Sequence, residues 1–135
     1  MKKLFSTKFS NNSATFSLLL LRIGFGGLMI PHGYDKLIHF ASRSAGFSDP
    51  FHIGGPISMA LVIFAEFFCA SFVVLGLMTR FACIPLIVTM SVALFHAHHG
   101  QVFGAGEKAA LFLTGFIALL LMGPGKVSMD RLIGK

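Results

Sequence analysis

Residues 58–78 read SMALVIFAEFFCASFVVLGLM, a stretch of twenty-one residues with one charged side chain, Glu66. A helix of about 20 apolar residues crosses the ~30 Å hydrocarbon layer of a bilayer. The stretch has no alternation of apolar and polar positions, which is typical of a membrane helix and not of a strand. We therefore predict a membrane-spanning helix over residues 57–78.

Three further apolar segments flank this one along the chain, and we predict helices over about residues 13–37, 57–78, 81–98 and 108–122. Turns rich in glycine and proline separate them, as in the run Gly123-Pro124-Gly125. The long connection 39–56 mixes phenylalanines with polar residues and is predicted to lie along the membrane interface. The sequence thus predicts an all-α fold, an integral membrane four-helix bundle forming a single membrane domain over residues 1–135.

The composition agrees with a lipid environment. Of the 135 residues, 55% are hydrophobic and 12% charged, and the mean hydropathy is +0.81. An ordinary soluble domain carries about 25% charged residues. The net charge of +6 is spread over segment ends without a basic run or recognition motif, so we expect the lipid bilayer and no nucleic acid as partner. Cys69 and Cys83 form no Cys-x-x-Cys motif.

The N-terminal segment could be taken for a signal peptide, because Lys2, Lys3 and Lys8 precede an apolar run. That run is longer than the about 7–15 residues of a signal-peptide core, and it contains Arg22. We therefore predict an uncleaved first membrane helix.

The basic residues also predict an orientation, since Lys and Arg favour the cytoplasmic side of a membrane. With the N-terminus inside, seven basic residues lie on the inner side: Lys2, Lys3, Lys8, Arg80, Lys126, Arg131 and Lys135. Three lie on the outer side, namely Lys36, Arg43 and Lys108. We predict that both termini are cytoplasmic.

Two ionisable residues lie well inside the predicted spans, Arg22 and Glu66. A charge at the centre of a membrane helix costs about 2.5–3.5 kcal/mol on insertion scales. Counted from the inner ends at 1.5 Å per residue, both lie near the midplane, at depths of roughly 14 and 18 Å. We therefore predict that they pair. A structural ion pair and a proton-carrying or ligand-orienting carboxylate remain alternative interpretations.

All six histidines fall on the predicted outer side. His96 and His99 are three residues apart and are expected to share a helix face, with His32 at a comparable level and His98 pointing elsewhere. One interpretation is a metal or haem site formed by His32, His96 and His99. The alternative is a set of interfacial histidines that form hydrogen bonds with headgroups and water.

Four residues at the same end of the bundle are predicted to bind a ligand: His32, Tyr34, Lys36 and Glu107. Glu107 also has a structural explanation, because a carboxylate in the first turn of a helix is favoured by the helix dipole. Gly24, Gly26 and Gly27 are expected to allow close helix packing, within the chain or in a homo-oligomer.

Three runs of the chain are similar to the DoxX family of small bacterial membrane proteins. They are LLRIGFGGLMIPHGYDKL (20–37), AEFFCASFVVLGLMTRFACIPL (65–86) and GEKAALFLTGFIALLLMGPGKVSMD (106–130). The positions that match the family pattern are Arg22, His32, Gly33, Lys36, Glu66, Gly76, Arg80, Glu107, Gly123, Pro124, Ser128 and Asp130.

The resemblance implies a multi-pass four-helix bundle in the bacterial inner (cytoplasmic) membrane. The family takes its name from a subunit linked to a thiosulfate–quinone oxidoreductase, and some relatives accompany a soluble oxidoreductase in membrane complexes. It therefore implies a redox-associated, quinone-linked accessory subunit whose partner is a soluble oxidoreductase or another membrane subunit. In this hypothesis Arg22 and Glu66 act as the catalytic residues on the polar floor of an intramembrane pocket that binds quinone. The alternatives are a non-catalytic small-solute carrier, a scaffold for a partner protein, and haem or divalent metal binding at the histidines.

Overall fold

The computed structural model describes residues 3–134 and contains no strand within them, which confirms the all-α class. Its helices are α1 (Asn11–Ile38), α2 (Phe40–Arg43), α3 (Gly55–Leu75), α4 (Thr79–Ala97), α5 (Glu107–Met122) and α6 (Met129–Ile133). Seven of the eight ends of the four long helices lie within two residues of the prediction. The exception is the C-terminal end of α3, which lies three residues earlier, at Leu75. Lys2 and Lys135, two of the residues that predicted the orientation, lie outside the described residues.

Three helices are long and apolar enough to cross a membrane: α1 with 28 residues, α3 with 21 and α4 with 19. Helix α5 has 16 residues and is about 24 Å long at 1.5 Å per residue. This is shorter than the ~30 Å hydrocarbon layer, so the fourth crossing stays a prediction. Outward-facing side chains such as Leu20, Leu28, Leu61 and Leu121 are more than half exposed, as contact with lipid requires.

The core is formed by small and apolar side chains of the long helices. Cys69 and Val73 of α3, Leu86 of α4, and Phe116 and Leu119 of α5 are fully buried. Gly26 lets α1 approach α3, because a Cβ atom there would lie 2.9 Å from the carbonyl oxygen of Ala70. Gly24 and Gly27 have open space around them, so a role of these two in self-association stays a prediction.

Each of the three long spans contains a π-helical turn: Arg22–Gly26 in α1, Phe64–Cys69 in α3 and Ala93–Ala97 in α4. A π-helical turn adds a residue to the turn and rotates the following side chains to another face, and such turns are frequent at functional sites. Each one includes a polar residue singled out from the sequence, namely Arg22, Glu66 or His96.

Arg22 is buried and binds backbone carbonyls instead of a carboxylate. Its guanidinium donates hydrogen bonds to the carbonyl oxygens of Val73 (2.9 Å) and Val74 (2.8 Å), in the last turn of α3. It donates two more to Pro124 (2.9 Å) and Val127 (2.5 Å), in the segment after α5. The carbonyls at the end of a helix lack partners within the helix and carry the negative end of its dipole, so they stabilise the cation. We call this arrangement the Arg22 clasp.

The predicted pairing of Arg22 with Glu66 is therefore wrong. The two α3 carbonyls that Arg22 contacts belong to residues seven and eight positions beyond Glu66, about 11 Å further along the helix. The depth estimate assumed that the inner ends of the helices are level. In the structure, the first eleven residues of α1, Asn11–Leu21, extend beyond the end of α3, so Arg22 lies beside its last turn.

The segment after α5 completes the clasp by binding the turn between α3 and α4. The carboxylate of Asp130 accepts hydrogen bonds from the backbone N–H groups of Met78 (2.6 Å) and Thr79 (3.0 Å) at the start of α4. The Asp130 N–H donates to the carbonyl of Gly76 (2.8 Å). Gly76 has φ +69°, and a Cβ atom there would lie 2.5 Å from the guanidinium of Arg22. Arg22, Gly76 and Asp130, which match the family pattern, thus have a structural role.

We predict that Arg22→Met lowers the free energy of unfolding by about 3 kcal/mol or more, because the carbonyls of Val74, Pro124 and Val127 lose their donor and each buried unsatisfied group costs about 1–3 kcal/mol. Equilibrium unfolding in detergent micelles measures the effect. The matched control is Arg80→Met, since Arg80 is exposed and donates one 3.3 Å bond to Leu120; it should cost at most about 1 kcal/mol. Equal losses in the two variants would contradict a clasp.

Candidate functional site

The partner of Glu66 is Lys36. The Nζ atom of Lys36 lies 2.6 Å from Oε2 of Glu66, and the two side chains are 25% and 7% exposed. A charge-assisted hydrogen bond of this length is among the strong polar contacts in proteins. The pair joins the last turns of α1 to the π-helical turn of α3. Lys36 was predicted only as a ligand-binding residue, so the sequence identified both members of the pair but not their contact.

Gly33 allows this pair to form. A Cβ atom at Gly33 would lie 2.5 Å from the backbone nitrogen of Phe67, so the two helix backbones touch at this point. Lys36 follows Gly33 by three residues and therefore lies on nearly the same face of α1. Its long side chain consequently reaches the carboxylate of Glu66 across the helix contact.

Glu66 and Lys36 form the polar end of a cavity of about 290 Å³, which we call the apolar cavity. Its remaining walls come from α3, α4 and the connection 47–53, and most of the side chains there are apolar. They include Phe51, Leu61, Val62, Val88 and Val92. His96 also lines this cavity, at the end of α4. Phe51, Leu61 and Val88 are more than half exposed, so this cavity opens toward the lipid-facing surface.

Asp49 holds the connection that covers the apolar cavity, and sequence reasoning missed it. Its carboxylate accepts hydrogen bonds from the N–H groups of Ile53 (2.9 Å) and Gly54 (2.7 Å) and from the hydroxyl of Ser58 (2.9 Å). Desolvation acts to raise the pKa of Asp49, but these hydrogen bonds outweigh it and hold the pKa below its usual value. The Asp49-Pro50 pair favours a turn, and this signal could have identified Asp49 as a residue that orders the connection.

A second cavity of about 320 Å³ lies on the other side of Glu66, and we call it the polar cavity. Among its ten lining residues are four ionisable ones: His32, Glu66, His98 and Lys108. The other six are apolar, and Met29, Met90 and Phe112 are the largest of them. Glu66 and Ala93 line both cavities, so the carboxylate stands in the wall between them.

The histidines are arranged differently from the prediction. Helix α4 ends at Ala97 in a π-helical turn, and His99 has a left-handed backbone with φ +51°. Regular helical spacing therefore does not hold here, and His98 instead of His99 lies with His32 in the polar cavity. Within residues 3–134, no three His, Cys, Asp or Glu side chains are grouped so as to hold a metal ion. The predicted ligand set of His32, His96 and His99 is accordingly not assembled.

The other predicted ligand-binding residues divide into two groups. His32 lines the polar cavity and Lys36 the apolar one. Tyr34 and Glu107 line neither of the two; Tyr34 lies on the exposed face of α1, with its ring 6.2 Å from that of Phe67. Lys108, next to Glu107, contributes to the polar cavity in its place.

Comparison with known proteins agrees with the resemblance noted in the sequence. A family model named DoxX matches residues 17–99. An uncharacterized protein of Haemophilus influenzae is 31% identical, over 88% of this chain and 84% of its own length. An uncharacterized membrane protein of Mycobacterium tuberculosis is 28% identical, over 88% of this chain and 82% of its own length. No solved structure matches.

We predict that Lys36→Met lowers the free energy of unfolding by about 3 kcal/mol, because it leaves the buried Glu66 carboxylate without its partner. The double variant Lys36→Met/Glu66→Gln should recover most of this loss, since neither charge remains. Thermal unfolding in micelles measures both.

The control is the exposed ion pair of Arg43 and Asp35. A guanidinium nitrogen of Arg43 lies 2.7 Å from Oδ2 of Asp35, and each side chain is 53% exposed. Asp35→Asn should cost less than about 1 kcal/mol. A single Lys36 variant as stable as the wild type would show that the pair does not stabilise the fold.

Proposed function

The chain belongs to the DoxX family of multi-pass membrane proteins, and on that premise we propose that it binds a quinone in the apolar cavity. We further propose that it does so as an accessory subunit of an oxidoreductase complex. The observation that carries the proposal is the placement of one partly buried ion pair, Lys36 with Glu66, in the wall of a mainly apolar cavity.

The ion pair suits the carbonyl oxygen of a quinone ring. An ammonium group has three donors and no acceptor. One donor of Lys36 is taken by Glu66, and a second is directed at the carbonyl of His32 at 3.4 Å. The remaining donor is available to a carbonyl oxygen in the cavity, while the apolar walls would contact the ring.

The size and opening of the apolar cavity also support this ligand. Its volume of about 290 Å³ is at the lower end of the roughly 300–1,000 Å³ typical of small-molecule pockets. That is room for a ring with its tail outside. Because Leu61 and Val88 line the cavity and are also exposed at the lipid-facing surface, the apolar tail can extend into the bilayer. Electrons would come from the partner, a soluble oxidoreductase or another membrane subunit.

A non-catalytic carrier of a small solute is the second candidate. It is favoured by the two cavities that meet at Glu66, because a solute could pass from one to the other when the Lys36–Glu66 pair opens. A carrier would move the solute between compartments without an oxidoreductase, whereas an accessory subunit would bind quinone and need its partner for turnover.

We also propose that α5 is the fourth membrane crossing and that both termini are cytoplasmic, in the bacterial inner membrane. Packing supports the crossing: Phe116 and Leu119 of α5 are fully buried against the other spans, while Leu111 and Leu121 on its outer side are exposed and apolar. A helix shorter than the hydrocarbon layer is accommodated by local thinning of the bilayer.

This topology predicts the labelling of single cysteines placed at Lys8, Gly104 and Gly134, in a chain whose Cys69 and Cys83 are replaced by alanine. A membrane-impermeant maleimide added to intact spheroplasts should modify only Gly104→Cys, and all three after lysis. Labelling of Gly134→Cys from outside would show that α5 does not cross.

The quinone site is tested with decylubiquinone and protein in lipid nanodiscs. We predict that Lys36→Met/Glu66→Gln binds it at least about tenfold more weakly than the wild type, because a hydrogen bond from a charged donor contributes about 1.5–3 kcal/mol. The double variant is used because it removes both members of the ion pair, so that no unpaired charge destabilises the protein. Lys126→Met, an exposed lysine in the segment after α5, is the matched control and should bind normally. Unchanged affinity of the double variant would rule out this site.

A further inference from the structure

The polar cavity has no role in holding the quinone ring, yet it collects ionisable side chains against Glu66. We propose that it is a hydrated route by which protons from the aqueous phase reach Glu66, with His98 and His32 as the relay. The use of these protons by a bound ligand rests on the proposed function, whereas the route itself does not.

The size and chemistry of the polar cavity favour water. The volume of about 320 Å³ is large enough for several water molecules, and cavities with several polar partners are hydrated. His32, His98, Lys108 and Glu66 supply such partners. The apolar cavity on the other side of Glu66 has mainly aliphatic and aromatic walls and opens toward lipid, so we expect it to hold less water.

The arrangement along the bundle gives the route a direction. His98 follows the end of α4 and Lys108 lies in the first turn of α5, so both stand at the end of the bundle where the chain meets water. Met29 and Met90 are buried and close the opposite, inner side. Protons that enter at the water-facing end therefore meet Glu66 before the methionines, and Glu66 also lines the apolar cavity.

Histidine suits this position because its imidazole gains and loses a proton between about pH 5 and 8. A hydronium ion gives its proton to one ring nitrogen and becomes water, and the other nitrogen then releases a proton to the Glu66 carboxylate. The charged and titratable groups that share a cavity with Glu66 are Lys36 and His32 from α1, His96 and His98 from the end of α4, and Lys108 from α5.

Proton arrival at Glu66 couples the two cavities. A protonated Glu66 no longer attracts the ammonium group of Lys36 as an ion pair, so Lys36 becomes free to donate to a ligand carbonyl. Ligand binding in the apolar cavity should therefore be accompanied by proton uptake through the polar cavity. The exchange involves only the O–H bond of the Glu66 carboxyl group and the N–H bonds of the imidazoles.

The first test concerns hydration and uses no ligand. In nanodiscs, with Cys69 and Cys83 replaced by alanine, a cysteine is placed at Ala109, which is buried and lines the polar cavity, or at Val62, which lines the apolar one. A charged methanethiosulfonate reagent should modify Ala109→Cys at least tenfold faster than Val62→Cys. Equal rates, or no modification of Ala109→Cys, would overturn the hydrated route.

The second test follows proton uptake with a pH dye after rapid mixing with decylubiquinone in weak buffer. The wild type should take up protons; His98→Ala should take up the same amount at least tenfold more slowly, and Glu66→Gln none. His99→Ala is the matched control, since His99 lines neither cavity, and should behave as the wild type.

A merely structural histidine would change the amount of bound ligand and not the rate alone. Quinone binding without proton uptake, or with uptake unaffected by His98→Ala, overturns the relay. Absence of decylubiquinone binding overturns the proposed function alone, because the cysteine test still decides whether the route exists.

Discussion

The fold depends on the absence of water from the hydrocarbon layer, which obliges the protein to satisfy each buried charge with its own groups. Arg22 and Glu66 meet this constraint in two different ways. Carbonyls from the end of one helix and from the segment after α5 surround the Arg22 guanidinium, and the nearby Asp130 carboxylate adds a favourable charge interaction. Glu66 is neutralised by Lys36 from a neighbouring helix. The first arrangement fixes the bundle, and the second leaves a polar group beside a cavity.

This division separates the two ends of the molecule. The Arg22 clasp, with Gly76 and Asp130, occupies one end, and none of these three residues lines the apolar or the polar cavity. The ion pair of Glu66 and the two cavities occupy the other. The positions that resemble the family pattern are shared between the ends, so such a pattern combines structural and functional requirements and does not by itself identify a site.

Much of this could be predicted from the sequence, because membrane helices follow from length and hydropathy and buried charges are conspicuous in them. The four long helices and the importance of Arg22 and Glu66 were identified in this way. The pairing was not, because the sequence does not reveal that α1 extends eleven residues beyond the end of α3. The histidines were misassigned for a related reason: the π-helical turn Ala93–Ala97 changes which of them share a face. Lys108 becomes visible as a cavity residue only when the helix ends are placed in space, whereas the sequence signal at Asp49 was overlooked.

The Arg22 clasp has a consequence for how the protein is made. Two of its four hydrogen bonds join Arg22 to residues 102 and 105 positions later in the chain, Pro124 and Val127. During synthesis α1 enters the membrane before these carbonyls have been made. Until then two donors of the guanidinium lack their final acceptors, and headgroups or water near the interface must supply them. Its final placement requires the segment after α5 to arrive. The clasp therefore closes late in assembly, because it cannot form before residues 124–127 have been synthesised.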